Sequence, residues 1–172
     1  LGAHDNEYHD LKSALQKSIR GSDANASLYY LARFMACGDY KTIARRLAIC
    51  AFEDIGLANM DLCNRVIHAL NLVNSVGSAE AYNILGPIVI EMALSPKSNR
   101  GVVGLKAALA FHESHSHIKI PTHLWDQHYK SATKLGATQY IYPHDFAYSY
   151  HHQNYLPNEI ANVQFYEPNP YI

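Results

Sequence analysis

The chain has 172 residues with a hydrophobic fraction of 48%, enough for one domain with a core that needs neither disulfides nor metal. Charged residues make up only 17%, against roughly 25% in ordinary soluble proteins, which points to surface that a partner covers. The net charge of -1 excludes the global basic footprint of a dedicated nucleic-acid-binding domain.

The hydrophobic period is helical nearly throughout, so the expected fold class is all-α, with about six to seven short helices in crossed hairpins. Tyr8, Leu11, Leu15 and Ile19 fall 3 or 4 apart on one face, and Gly21 is placed as a left-handed cap. Ser22 or Asp23 can cap a second helix that buries Leu28, Leu31, Ala32 and Met35, and Gly38 ends it. Asp39 can cap a third, with Ile43, Ala44, Leu47 and Ala51 inward and Gly56 as its end. Asn59 can cap a fourth, with Leu62, Val66, Ala69, Leu70 and Val73 inward, closed by Gly77.

A fifth helix is expected from Ser78 to about Leu94, kinked or broken near Gly86 by Pro87. Ser95-Pro96 forces a turn. A sixth helix follows from Asn99 to about Glu113, and a short seventh from Leu124 to Leu135. The segment from Ala137 differs: it holds four of the seven prolines, seven of the thirteen tyrosines and no Lys or Arg. It reads as an ordered, extended tail whose Tyr140, Tyr142, Phe146, Tyr148, Tyr150, Tyr155, Phe165 and Tyr166 bury their rings over the helices. The expected organisation is residues 1–7 as linker or cloning remnant, 8–136 as the helical domain and 137–172 as the tail. The start at Leu1-Gly2-Ala3, with no Met, suggests a fragment of a longer protein.

Cys37, Cys50 and Cys63 form no CxxC pair and read as free, buried thiols in a reduced cytoplasm. The phosphate-loop pattern G-x-x-x-x-G-K-[ST] is absent, since no Gly precedes a Lys. Gly101-Val102-Val103-Gly104-Leu105-Lys106 has the wrong spacing and no preceding strand. The enzymatic alternative is a metal hydrolase on His112, Glu113, His115 and His117, yet H-E-x-x-H requires a His where Ser116 stands. No metal ligand or catalytic residue is assigned. Pro143-His144-Asp145-Phe146 is read as a turn.

Three basic groupings remain. Lys12, Lys17 and Arg20 lie on the first helix, though not all on one face. Arg45 and Arg46 sit opposite the apolar stripe of the third. Lys97 and Arg100 flank a helix start, where free N–H groups and a cation can meet a phosphate. Arg45, Arg46, Lys97 and Arg100 are the DNA-contact candidates; the plain reading is a solvated face or ion pairs to Glu53, Asp54 or Glu91.

Several segments together resemble one family: HDLKSALQKSIRGSD (9–23), LYYLARFMACGD (28–39), IARRLAICAFEDIGLAN (43–59), ALSPKSN (93–99), IPTHLWD (120–126), YPHDF (142–146), YLPNEI (155–160) and FYEP (165–168). They are similar to the C-terminal region of the bacterial replication-associated recombination ATPases, the MgsA or RarA family, related to the eukaryotic Werner-helicase-interacting protein. The resemblance implies a helical domain like the collar of clamp-loader subunits, which drives homotetramer formation. It implies a parent protein with an AAA+ module that binds ATP and Mg, acts as a DNA-dependent ATPase at stalled forks and DNA ends, and associates with single-strand-binding protein. A cytoplasmic, nucleoid-associated location follows, with no membrane partner. The family's catalytic residues belong to that other module, so this fragment is expected to bind no cofactor and catalyse nothing. The alternative is a stand-alone DNA-binding helical module. Family members usually carry Arg where this chain has Trp125, and Gly and Lys in the turn where it has Gly136-Ala137-Thr138-Gln139. Both changes remove positive charge from that face.

Overall fold

In the computed structural model, residues 3–126 and 138–171 are described. Their regular structure is helical, with no strand among them, as the periodicity requires. The helices are α1 (Ala3–Arg20), α2 (Ala24–Ala36), α3 (Tyr40–Cys50), α4 (Met60–Val76), α5 (Tyr82–Leu94) and α6 (Arg100–Ser114). The chain divides into two compact units, Leu1–Lys106 with Tyr166–Ile172, and Ala107–Phe165.

In the first unit, α1 packs on α2, α3 and α5, while α4 packs on α3 and α5. The α1 stripe is the expected one: Leu11, Leu15 and Ile19 are buried and Tyr8 packs beside them. Burying each aliphatic contributes about 1.5–3 kcal/mol. All three expected N-caps are made, with Asp23 accepting from the Ala26 N–H, Asp39 from Thr42 and Asn59 from Leu62. The α3 and α4 stripes also fall as expected.

Three local expectations change. The α2 stripe is rotated: Ser27, Leu31 and Phe34 are buried, while Leu28 and Ala32 are exposed. Ser27 can go inside because its hydroxyl donates to the Asp23 carbonyl at 2.6 Å. The left-handed residue after α1 is Ser22 (φ 62), not Gly21. Asp23 N–H bonds to Ser18 O and Ser22 N–H to Ile19 O, a Schellman closure with Ser22 in the position glycine usually takes. The fifth helix is not broken at Gly86. The interruption lies earlier, at a 3-10 turn over Ser78–Glu80, and α5 then runs on through Pro87. Pro87 lies in the second turn and forgoes one backbone hydrogen bond, while Leu85, Ile88, Val89 and Met92 hold the helix in the core.

Among its described residues the second unit has little regular structure beyond the end of α6 and single 3-10 turns at Thr122–Leu124, Pro143–Asp145, Ala147–Ser149 and Asn158–Ile160. Side chains close it. Gln153 reaches the backbone of Ile141 twice, donating to its O at 2.7 Å and accepting from its N–H at 3.3 Å. His123 Nε2 donates to Asn154 O, and Trp125 Nε1 to Ile120 O. Phe111 stacks on His115 and meets Phe165 edge-on. The expected turn at Pro143-His144-Asp145 is present. The expected burial of the tail rings is not: Tyr142, Phe146, Tyr150, Tyr155 and Tyr166 are exposed and Tyr148 fully so. The backbone turns here, with Tyr148 and Ser149 both left-handed. The helix expected at Leu124–Leu135 lies outside the described residues beyond Asp126; its described start is the 3-10 turn at Thr122–Leu124, followed by extended Trp125.

Candidate functional site

The densest polar structure of the first unit lies where α3 ends. The helix does not stop at Cys50 but widens into a π turn over Ala51–Ile55, a conformation often found at functional sites. Asp54, 5% exposed, sits on this turn. Arg20 Nε donates to its Oδ1 at 2.7 Å and Gln16 Nε2 to its Oδ2 at 3.0 Å. The Cys50 thiol completes the set at 3.6 Å. Gln16 also donates to Glu53 at 2.8 Å and accepts from Arg46 at 3.0 Å. The buried carboxylate is thus paired and hydrogen-bonded, as a buried charge must be. Burial, together with the charge of Asp54, pushes the Cys50 thiol well above its ordinary range, so Cys50 is no nucleophile.

The loop after α5 locks onto this turn. Ser98 N–H donates to Asp54 O at 2.8 Å. Gly56 has φ +44, and a Cβ there would stand 2.9 Å from Ser98 O, so only glycine fits. Three segments that carried the family resemblance, 9–23, 43–59 and 93–99, therefore meet at one node.

The four DNA-contact candidates do not form one patch. Lys97 directs its ammonium to Ala93 O at 2.9 Å, Ser95 O at 2.6 Å and Ser22 Oγ at 3.2 Å. That uses its three donors to close the C-terminal end of α5, and burial pulls its pKa below the ordinary value. Arg100 lines a cleft that Glu53 and Asp54 share. Lys97 lines that cleft too, with Arg20, but there the cations face the two carboxylates. Arg45 is exposed on α3. Arg46 joins cations with no carboxylate in the lining: with His9, Lys12, Ser13, Gln16, Lys17 and Arg20 it lines a cavity of about 290 Å³. Contrary to the sequence reading, Lys12, Lys17 and Arg20 share that face of α1; the series 9, 12, 13, 16, 17, 20 is the helical signal for it.

Of the plain ion-pair alternatives, Arg20 takes Asp54 and Glu53, whereas Glu91 pairs with Arg65 at 2.6 Å. The histidines named for a metal are dispersed. His112, His115 and His117 are exposed, and His115 Nδ1 meets Phe111 O at 3.0 Å. Among the described residues no three His, Cys, Asp or Glu side chains gather as a metal site. No described helix is long and apolar enough to cross a membrane.

The family model described as MgsA AAA+ ATPase C terminal matches residues 21–171. The chain belongs to this family. Replication-associated recombination protein A of Bacillus subtilis is 45% identical over 170 residues, which cover 96% of this chain and 40% of that protein. The Escherichia coli K12 protein of the same name is 37% identical over 164 residues, covering 94% and 37%. ATPase WRNIP1 of Dictyostelium discoideum is 35% identical over 163 residues, covering 93% and 19%. The chain spans at most about 40% of the length of these relatives.

Proposed function

We propose that this domain is the homotetramerisation collar of a DNA-dependent AAA+ ATPase that works in replication-fork maintenance and recombination. ATP and Mg are handled by a nucleotide-binding module elsewhere in the parent protein, which works in the cytoplasm at the nucleoid, on forked or single-stranded DNA and beside single-strand-binding protein. This domain supplies assembly and auxiliary DNA contact.

The observation that carries the assembly reading is α6. Its one buried residue is Gly104, while Val103, Leu105 and Leu109 are 45%, 65% and 57% exposed. Leu105 and Leu109 lie four apart and share a face. An aliphatic helix face left in water is what a self-complementary contact would cover, and the low charge and exposed tyrosines agree with it. Covering each leucine would contribute about 1.5–3 kcal/mol per subunit. The double variant Leu105→Glu/Leu109→Glu is expected to sediment as a smaller species than the unmodified chain, with an unchanged helical circular-dichroism spectrum. An unchanged assembly state would remove α6 from the interface.

A further inference from the structure

We propose that the cavity between α1 and α3 is a binding site for the phosphate backbone of nucleic acid, with Lys12, Lys17, Arg20 and Arg46 as its cations. The proposal deepens the auxiliary DNA contact above and rests on that reading.

Positive charge collects here without a full set of counter-ions. Four cations line one cavity of about 290 Å³. The nearby carboxylates, Glu53 and Asp54, are engaged by Arg20 and by the Gln16 amide. Neither touches Lys12 or Lys17. The Lys12 ammonium has only the face of Tyr8 at 5.2 Å, and the Lys17 ammonium has no hydrogen bond or ion pair among the described residues. Arg46 gives one N–H to Gln16, and its Nε is buried without a partner. Crowding like charges is unfavourable unless an anion answers them. Gln16 holds Arg46 from below and Asp54 holds Arg20, so both guanidinium groups are fixed in place before any ligand arrives.

The shape selects the anion. The lining residues run from His9 to Arg20, roughly 16 Å along the helix axis. Each strand of a duplex carries a phosphate about every 3.4 Å of helix axis, and an extended single strand spaces them more widely, so a stripe of this length can meet a few phosphates of one strand. The other polyanion at hand is the acidic tail of a second copy. Its acids, Asp145, Glu159 and Glu167, are too far apart in sequence to match this cation density. The lining carries no Phe, Tyr or Trp and no apolar slot, and its one ring is the His9 imidazole at the edge of the cation stripe, so contact here is mainly to the backbone and positions the strand rather than selecting sequence.

The test is fluorescence anisotropy of the full chain with labelled oligothymidine across a salt series. The logarithm of affinity is expected to fall against the logarithm of salt with a slope of about −2 to −3, for three to four single-strand phosphate contacts. Lys12→Glu/Lys17→Glu is expected to weaken binding about tenfold or more at low salt and to flatten the slope by about 1.4. Lys106→Glu, on α6, is expected to change neither. An oligonucleotide with uncharged methylphosphonate linkages is expected not to bind. The proposal is overturned if the double variant keeps its affinity and slope, or if the uncharged backbone binds as well. It is also overturned if the unmodified chain binds no DNA at low salt, or if the double variant breaks the assembly without lowering affinity per chain. Light scattering on the same samples separates the two readings. DNA binding by a monomer ends the collar while leaving this site, and a tetramer without DNA binding ends this site while leaving the collar.

Discussion

Removing Arg20 should damage the fold more than removing Asp54, although the two make one ion pair. The difference lies in what each substitution leaves behind. In Arg20→Ala the Asp54 carboxylate, 5% exposed, stays on the π turn with only the Gln16 amide and the Cys50 thiol. Stripping one partner from a buried pair costs about 3–5 kcal/mol, and the surviving bonds put this case near 3 kcal/mol. In Asp54→Ala the orphan is Arg20, whose side chain is 47% exposed and can rehydrate. Gln16 keeps Glu53 as an acceptor, so the loss should be about 1–2 kcal/mol. The double variant should be more stable than Arg20→Ala alone, because it removes the stranded charge. Urea unfolding followed by circular dichroism measures all three. Equal losses from the single variants, or a double variant no better than Arg20→Ala, would refute the view that an anchored carboxylate holds the π turn.

Gly56→Ala should cost at least about 2 kcal/mol, since it combines a positive φ with a Cβ 2.9 Å from Ser98 O. Gly38→Ala, with φ +78 and open space around it, should cost about 1 kcal/mol, and thermal melts of the pair compare them. Asp39 is held at about 2, below the ordinary 3.8, by the Thr42 hydroxyl first, then by the Tyr8 hydroxyl and the Thr42 N–H. A depressed carboxylate stabilises the fold above its unfolded pKa and loses that contribution as pH falls through its folded one. Stability should therefore decline between about pH 4 and pH 2 more steeply in the unmodified chain than in Asp39→Asn, which keeps a cap but cannot titrate. Parallel slopes in acid unfolding curves would reject the link.

Much of the helical layout was legible because capping is local chemistry. Asp23, Asp39 and Asn59 announce their helices through side chains that reach three residues on, whatever the tertiary context. The α2 face was misread because hydropathy ranks Leu28 and Ala32 above Ser27, and a hydroxyl satisfied by its own helix has no hydropathic signature. The π turn has none either: nothing in Ala51-Phe52-Glu53-Asp54-Ile55 departs from ordinary helix. It forms where Asp54 and Ser98 meet, which is a tertiary event. Lys97 looked like a phosphate contact because sequence shows a charge and not where its donors go. Lys12, Lys17 and Arg20 were legible and undervalued; their spacing places them on one broad face, and only the fold adds Arg46 to it. The tail's aromatic content pointed to cover, but whether the chain itself or a partner receives those rings depends on backbone turns at Tyr148 and Ser149 that no pattern marks.

A collar must assemble without the rest of its parent protein. Multi-angle light scattering behind size exclusion, at micromolar concentration, should return four chain masses in one peak; a single chain mass across the concentration range would contradict the collar.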